Sequence, residues 1–167
     1  MDTSDRPAAS STGKILGGVV GCGCLILLVV GGLVGLWFAG VFAAIAVPNF
    51  VEMQNKARRA ETVGNVAGIR TAELAYEAAY DGYLSVGSES AARAALTAEP
   101  HEWQSSPEWE QLGWRPDGKV RGGYWVEATP TGFTVHGLVD ADGDGVPAEY
   151  IATERQEATL VSPSDVY

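Results

Sequence analysis

The sequence predicts an α+β fold: a long N-terminal helix, membrane-spanning in its first part and amphipathic in its second, packed on an antiparallel sheet of three or four strands. Three observations lead there. The run from Ile15 to Val47 carries no charged residue, and a hydrocarbon core about 30 Å thick needs roughly 20 apolar residues as helix. From Phe50 to Tyr80 the chain is rich in Ala, Glu, Arg and Gln, which favour helix. In that stretch and just past it, Val66, Ile69, Ala72, Tyr76, Ala79 and Tyr83 recur at steps of three and four and form one apolar stripe. Beyond Gly123 the pattern changes to short alternating runs separated by turn residues, the mark of an antiparallel meander.

These signals divide the chain into a disordered tail (residues 1–14), a transmembrane segment (15–47) and a soluble domain (48–167). The tail is Ser-, Thr-, Ala- and Asp-rich and contains Pro7. Residues 15–24 are dense in glycine and poor helix material, so the membrane helix is expected over Leu25 to Val47. Within it Gly31 and Gly35 have the small-xxx-small spacing that lets two helix backbones approach closely in lipid. Incidental glycines in a membrane helix give the same pattern. Trp37 and Phe38 fall in mid-run, where they fit packing against a neighbour or lipid rather than an interfacial belt. Pro48 removes one backbone donor and makes a weak point without ending the helix, which Asp81-Gly82 then stops.

Both cysteines, Cys22 and Cys24, lie in the apolar run, so no disulfide holds the soluble domain. Val19-Val20-Gly21-Cys22 looks like a lipoprotein processing box, yet the apolar stretch before Cys22 is short for a signal core and the stronger run follows it. The run is also too long for a cleaved secretory signal. Asp2, Asp5, Arg6 and Lys14 cancel, so the whole net charge of −10 lies beyond Pro48. Such a domain has no basic face for nucleic acid.

Past the long helix, Ser90 to Ala98 is expected as a short helix, and Pro116-Asp117-Gly118 as a tight turn. Trp103, Trp109 and Trp114 read as core anchors. Strands are expected over Gly123 to Ala128, Phe133 to Val139, Glu149 to Thr153 and Ala158 to Val161, with a turn at Thr129 to Gly132. A small sheet needs a partner for its apolar face, and the stripe of Val66, Ile69, Tyr76 and Tyr83 supplies one.

Asp140-Ala141-Asp142-Gly143-Asp144-Gly145 is the one concentrated polar site. Carboxylates at alternate positions, with glycines permitting a tight bend, converge oxygens on one point, as Ca²⁺ requires. The spacing matches the first half of an EF-hand loop. The second half fails, because Ile151 stands where a bidentate Glu belongs and Glu149 comes early. A compact calcium loop between strands and a metal-free Asp-Gly turn both remain open. His101 and His136 have no Cys or second His at zinc-like spacing and read as structural or solvated. No nucleophile elbow, phosphate-cradling glycine loop or catalytic cysteine occurs, and Glu108 and Glu110 show no paired acid/base arrangement. Neither an enzyme nor a small-molecule substrate is expected.

Ala43-Ala44-Ile45-Ala46-Val47-Pro48-Asn49-Phe50 resembles the end of the membrane half of the N-terminal helix in type IV pilins and type II secretion pseudopilins. Ala57-Arg58-Arg59-Ala60-Glu61, Asn65, Ile69, Thr71 to Tyr76 and Tyr80-Asp81-Gly82-Tyr83 look like its continuation. Leu112 to Gly118, the strand with Tyr124 and the Asp140 to Gly145 loop are also similar to pilins. The resemblance runs from about Ala43 to the C-terminus. It implies a four-stranded sheet on the upper half of the helix, a subunit that waits in the bacterial inner membrane with its C-terminal domain outside the cytoplasm, and assembly with copies of itself or other pilin-like subunits. It also implies calcium on the Asp loop, with Asp140, Asp142 and Asp144 as ligands.

The chain departs from the family at the membrane end. Counting back from Pro48, the glycine before the peptidase cut corresponds to Ile26 and the family's buried glutamate to Gly31. The expectation is therefore a degenerate member lacking the cleavage site, either part of a pilus or type II secretion-like assembly or a membrane-anchored extracytoplasmic binding module outside any fibre. Lys56, Arg58, Arg59 and Arg70 outnumber Arg6 and Lys14, which by the positive-inside rule points the other way on topology.

Overall fold

The structure, a computed structural model, describes residues 12–167, with side chains from residue 27 onward. Most of the expected tail and the side chains of Cys22 and Cys24 lie outside the described residues. The chain divides into two compact units, Met1–Phe50 and Val51–Tyr167. Helix α1, Thr12–Tyr80, contributes to both and continues through Pro48. It also takes in the glycine-dense stretch that was expected to be poor helix. Each glycine there costs up to about 1 kcal/mol relative to alanine. No proline interrupts the stretch, and an apolar segment in lipid must satisfy its backbone internally.

In the first unit the described side chains, from Leu27 to Phe50, are all exposed. Leu28 (76%), Leu36 (71%) and Phe42 (68%) present most of their surface. A continuous apolar surface of this kind is not kept in water, and α1 is long and apolar enough to cross a membrane near the N-terminus. Nothing lies within 4 Å of a Cβ built on Gly31 or Gly35.

In the second unit β1 (Gly123–Thr129), β2 (Gly132–Val139), β3 (Ala148–Thr153) and β4 (Thr159–Leu160) form one antiparallel sheet in the order β1-β2-β3-β4. Their bounds match the sequence expectation within one or two residues. Strand alternation gives the sheet two faces. Tyr124, Val126, Phe133, Val135, Val139 and Ala152 join Val66 and Ile69 of α1 in the main core. Val66 and Ile69 are fully buried, each worth about 1.5–3 kcal/mol relative to exposure. On the opposite face Trp125 and Leu138 lie with Ala92 of α2 (Glu89–Ala94) in a second, smaller cluster. The outer edge of β1 is closed by Val86, which exchanges two backbone hydrogen bonds with Val126.

Three details differ from the sequence reading. Ala79 is exposed, so the buried stripe runs through Thr62, Val66, Ile69 and Glu73, with Tyr76 and Tyr83 half-buried beside it. Glycine was half of the expected stop, yet it is Asp81 that turns left-handed (φ 58°) after α1. The short helix α2 ends at Ala94, four residues early, and a further helix, α3 (Pro107–Leu112), stands in the proline-punctuated region. Its signals were present in the chain: Pro107 in the first turn and Gly113 at the C-cap.

The helix and sheet meet most closely at Gly137 of β2. A Cβ there would run into Val66 Cγ2 and come within 2.9 Å of Thr62 Cγ2. Gly137→Ala is expected to lower stability by about 1–3 kcal/mol, read as a fall in Tm of several degrees for the full chain in detergent. An unchanged Tm would show that α1 does not press on β2.

Candidate functional site

The Asp140–Gly145 segment connects β2 to β3. Asp140 closes it: Oδ1 accepts from the backbone N–H of Gly143 (2.8 Å) and Asp144 (3.2 Å), and Oδ2 accepts from that of Gly145 (3.0 Å). Asp144 Oδ1 accepts from the Val146 N–H at 2.8 Å. Gly143 and Gly145 supply the left-handed backbone, at φ 77° and 85°. The turn is thus held by its own N–H groups. The structure also brings together the three carboxylates named from the sequence, since ligand oxygens of Asp140, Asp142 and Asp144 lie within 4.8 Å of one another. Asp142 and Asp144 are exposed. Oδ1 of Asp140 already accepts two N–H groups, while Oδ2 accepts one and keeps a second lone pair, so Asp140 Oδ2 with the carboxylates of Asp142 and Asp144 suits a hard cation that takes its remaining ligands from water. Glu149 is not a further ligand. Its Oε1 is engaged with His136 Nδ1 at 2.9 Å, and Ile151 pairs with His136 inside the sheet.

Three arginines of α1 tie loops and strand ends of the domain to the helix through main-chain carbonyls, Arg58 at the Asp loop and Arg70 at the opposite end of β3. Arg58 Nη1 donates to Ala141 O in the Asp loop (3.0 Å), and Arg59 Nη1 to Ser164 O (3.1 Å) and Val166 O (2.6 Å). Arg70 donates to Thr153 O (2.7 Å) and Glu154 O (3.1 Å), where β3 ends. Arg59 also lies over the Tyr167 ring, 4.9 Å from its centre. Glu61 adds a partly buried pair, accepting from Arg121 Nη1 at 3.2 Å and from the Arg121 backbone N–H at 2.9 Å. Charge-assisted bonds of this kind are worth about 1.5–3 kcal/mol each when shielded from water.

The helix–sheet residues named from the sequence divide by burial. Val66 and Ile69 are core. Tyr76 accepts from Gln111 Nε2 through its hydroxyl (2.9 Å). Tyr83 leans on Phe133, with ring centres 5.1 Å apart. His136 is a structural residue, stacked on Trp125 at 4.3 Å and 5°.

Sequence reasoning missed Glu73. Its position four residues after Ile69 and three before Tyr76 places it on the apolar stripe, the one signal that could have found it. Glu73 is fully buried. One oxygen accepts from the Leu84 N–H at 3.1 Å, fixing the chain as it leaves α1, and the other is without a partner. Burial pushes its carboxyl up to about 6, against a weaker opposing pull from the Leu84 N–H.

Because the folded value lies above the unfolded one, Glu73 contributes stability that is full below about pH 4.5 and is lost as pH rises through about 6. The loss is on the order of 2 kcal/mol. Glu73→Gln is expected to raise Tm at pH 7.5 relative to pH 5 when compared with the unsubstituted chain. Parallel pH profiles for the two would remove the buried charge as the cause. Compared with protein-family models, with curated proteins and with solved structures, the chain shows no match in any of the three.

Proposed function

We propose that the chain is a non-enzymatic, pilin-like, single-pass membrane protein, a subunit or accessory of a type IV pilus or type II secretion-like assembly. The observation that carries the reading is one helix with two kinds of surface. Its residues Leu27 to Phe50 expose an apolar span, and its Thr62, Val66, Ile69 and Glu73 are buried on the side of a four-stranded antiparallel sheet. The pilin-like motif Ala43 to Phe50 stands at the change from one surface to the other. In this reading the protein sits in a bacterial inner membrane with the sheet domain outside the cytoplasm. The open backbone at Gly31 and Gly35 is the place where a second helix approaches. Arg58, Arg59 and Arg70 serve the packing of the domain, which gives them a reason to follow the membrane segment whatever its orientation.

A second reading is favoured by the membrane end itself. With Ile26 and Gly31 in place of the glycine before the cut and the buried glutamate, the chain would stay uncut, as a membrane-anchored binding module. N-terminal sequencing of the membrane-purified protein separates the two. A start near Leu27 supports assembly, and an intact Met1 supports the permanent anchor.

In either case the Asp loop would take Ca²⁺ through Asp140, Asp142 and Asp144, tightening a turn already tied to α1 by Arg58. Asp142, which makes no bond that closes the turn, is the residue to change. Asp142→Ala is expected to lower Tm by a few degrees in millimolar calcium and to leave it unchanged in chelator. Equal loss under both conditions would exclude calcium.

A further inference from the structure

Helix α3 and the loops on either side of it line a cleft of about 760 Å³ with three tryptophans in its wall. Trp103, Trp109 and Trp114 pack in a cluster with ring centres 5.2–5.5 Å apart. Trp109 is the floor, 5% exposed. Trp103 and Trp114 are half-buried and stand at 84° to each other, so they form a corner that reaches solvent. The corner is rigid. Tyr124 backs Trp114 at 5.8 Å, and the Trp114 indole lies across α1 where a Cβ on Gly68 would approach Nε1 to 2.9 Å. The volume falls in the range of small-molecule sites, roughly 300–1,000 Å³.

The rim carries Glu110, Arg115 and Asp117. Arg115 is the one described Lys or Arg side chain with neither a hydrogen bond nor an ion pair. Lys56, Arg93, Lys119, Arg121 and Arg155 are paired with carboxylates, and Arg58, Arg59 and Arg70 with carbonyls. The carboxylates of Glu110 and Asp117 also lack such a partner among the described residues. A planar donor and two planar acceptors are therefore left uncommitted around a fixed indole corner.

The geometry points to a binding site for a neutral saccharide. One face of a sugar ring is a patch of C–H groups that stacks on the electron-rich face of an indole. Its edge is a row of hydroxyls, each both donor and acceptor, which guanidinium and carboxylate groups satisfy together. A cation would meet Arg115, and an anion would meet Glu110 and Asp117 on a chain of net charge −10. A neutral polyol meets both signs without a like-charge clash. This reading is independent of whether the protein assembles.

The test is tryptophan fluorescence of the full chain in a detergent without a sugar headgroup, titrated separately with trisaccharides of glucose and of N-acetylglucosamine, with trilysine and with inorganic phosphate. One of the trisaccharides is expected to give a saturable change with a midpoint in the millimolar range, unaltered by about 0.5 M NaCl. Arg115→Ala and the double change Glu110→Gln with Asp117→Asn, all on exposed side chains, are each expected to weaken it at least about tenfold, with Tm unchanged. Three results would overturn the proposal: no saturable response to either sugar, an equal response in the variants, or a response confined to trilysine or phosphate and abolished by salt.

Discussion

The sheet domain depends on how closely α1 lies on β2. A helix packed on a sheet normally stands off by the length of its side chains. Here a glycine in the middle of β2 removes one of the two layers, and Thr62 and Val66 sit against the strand backbone. That approach brings the next turns of the helix into reach. Asn65 donates to the Tyr124 hydroxyl at 2.8 Å, and Ile69 is enclosed by the core. It also commits Glu73 to the interior, where only the Leu84 N–H answers it.

Around this contact the remaining pieces are fastened by polar groups. The main core lies under α1, and the small second cluster on the far face is closed by α2. The loops and the C-terminal segment add apolar side chains to the main core, Trp103, Trp114, Ala141, Val166 and Tyr167 among them. They are held by guanidinium groups projecting from α1 and by the carboxylate of Asp140, which satisfies N–H groups inside its own turn. Apolar packing at the centre is thus joined by charge-assisted bonds at the margin.

The long helix, the four strands and the Asp loop were legible in the chain because each rests on local rules: absence of charge, the helical period, alternation and the chemistry of Asp-Gly turns. The turn between Thr129 and Gly132 and the burial of Val66 and Ile69 followed from the same rules. What escaped depends on partners distant in sequence. Glu73 reads as an ordinary helix former until the strands close over it. Arg58, Arg59 and Arg70 count in the sequence only as positive charges following the membrane segment, until the carbonyls of residues 141, 153 and 164 arrive beside them. The cover that Trp125 and Leu138 find under α2 on the other face of the sheet depends on such a distant partner as well. Gly137 was read as one more member of an alternating run, whereas its missing side chain sets the spacing of the whole domain.

The arginine ties have a consequence for how such a domain can change over time. A carbonyl oxygen is present at every position whatever residue occupies it. A guanidinium that grips Ala141, Thr153, Ser164 or Val166 by that atom places no demand on the side chains of those loops. The outward faces of the margin are therefore at liberty to vary, in shape and in charge, while the anchorage beneath them stays the same. A few cations on one helix can hold in place a rim whose surface is rewritten from one descendant to the next.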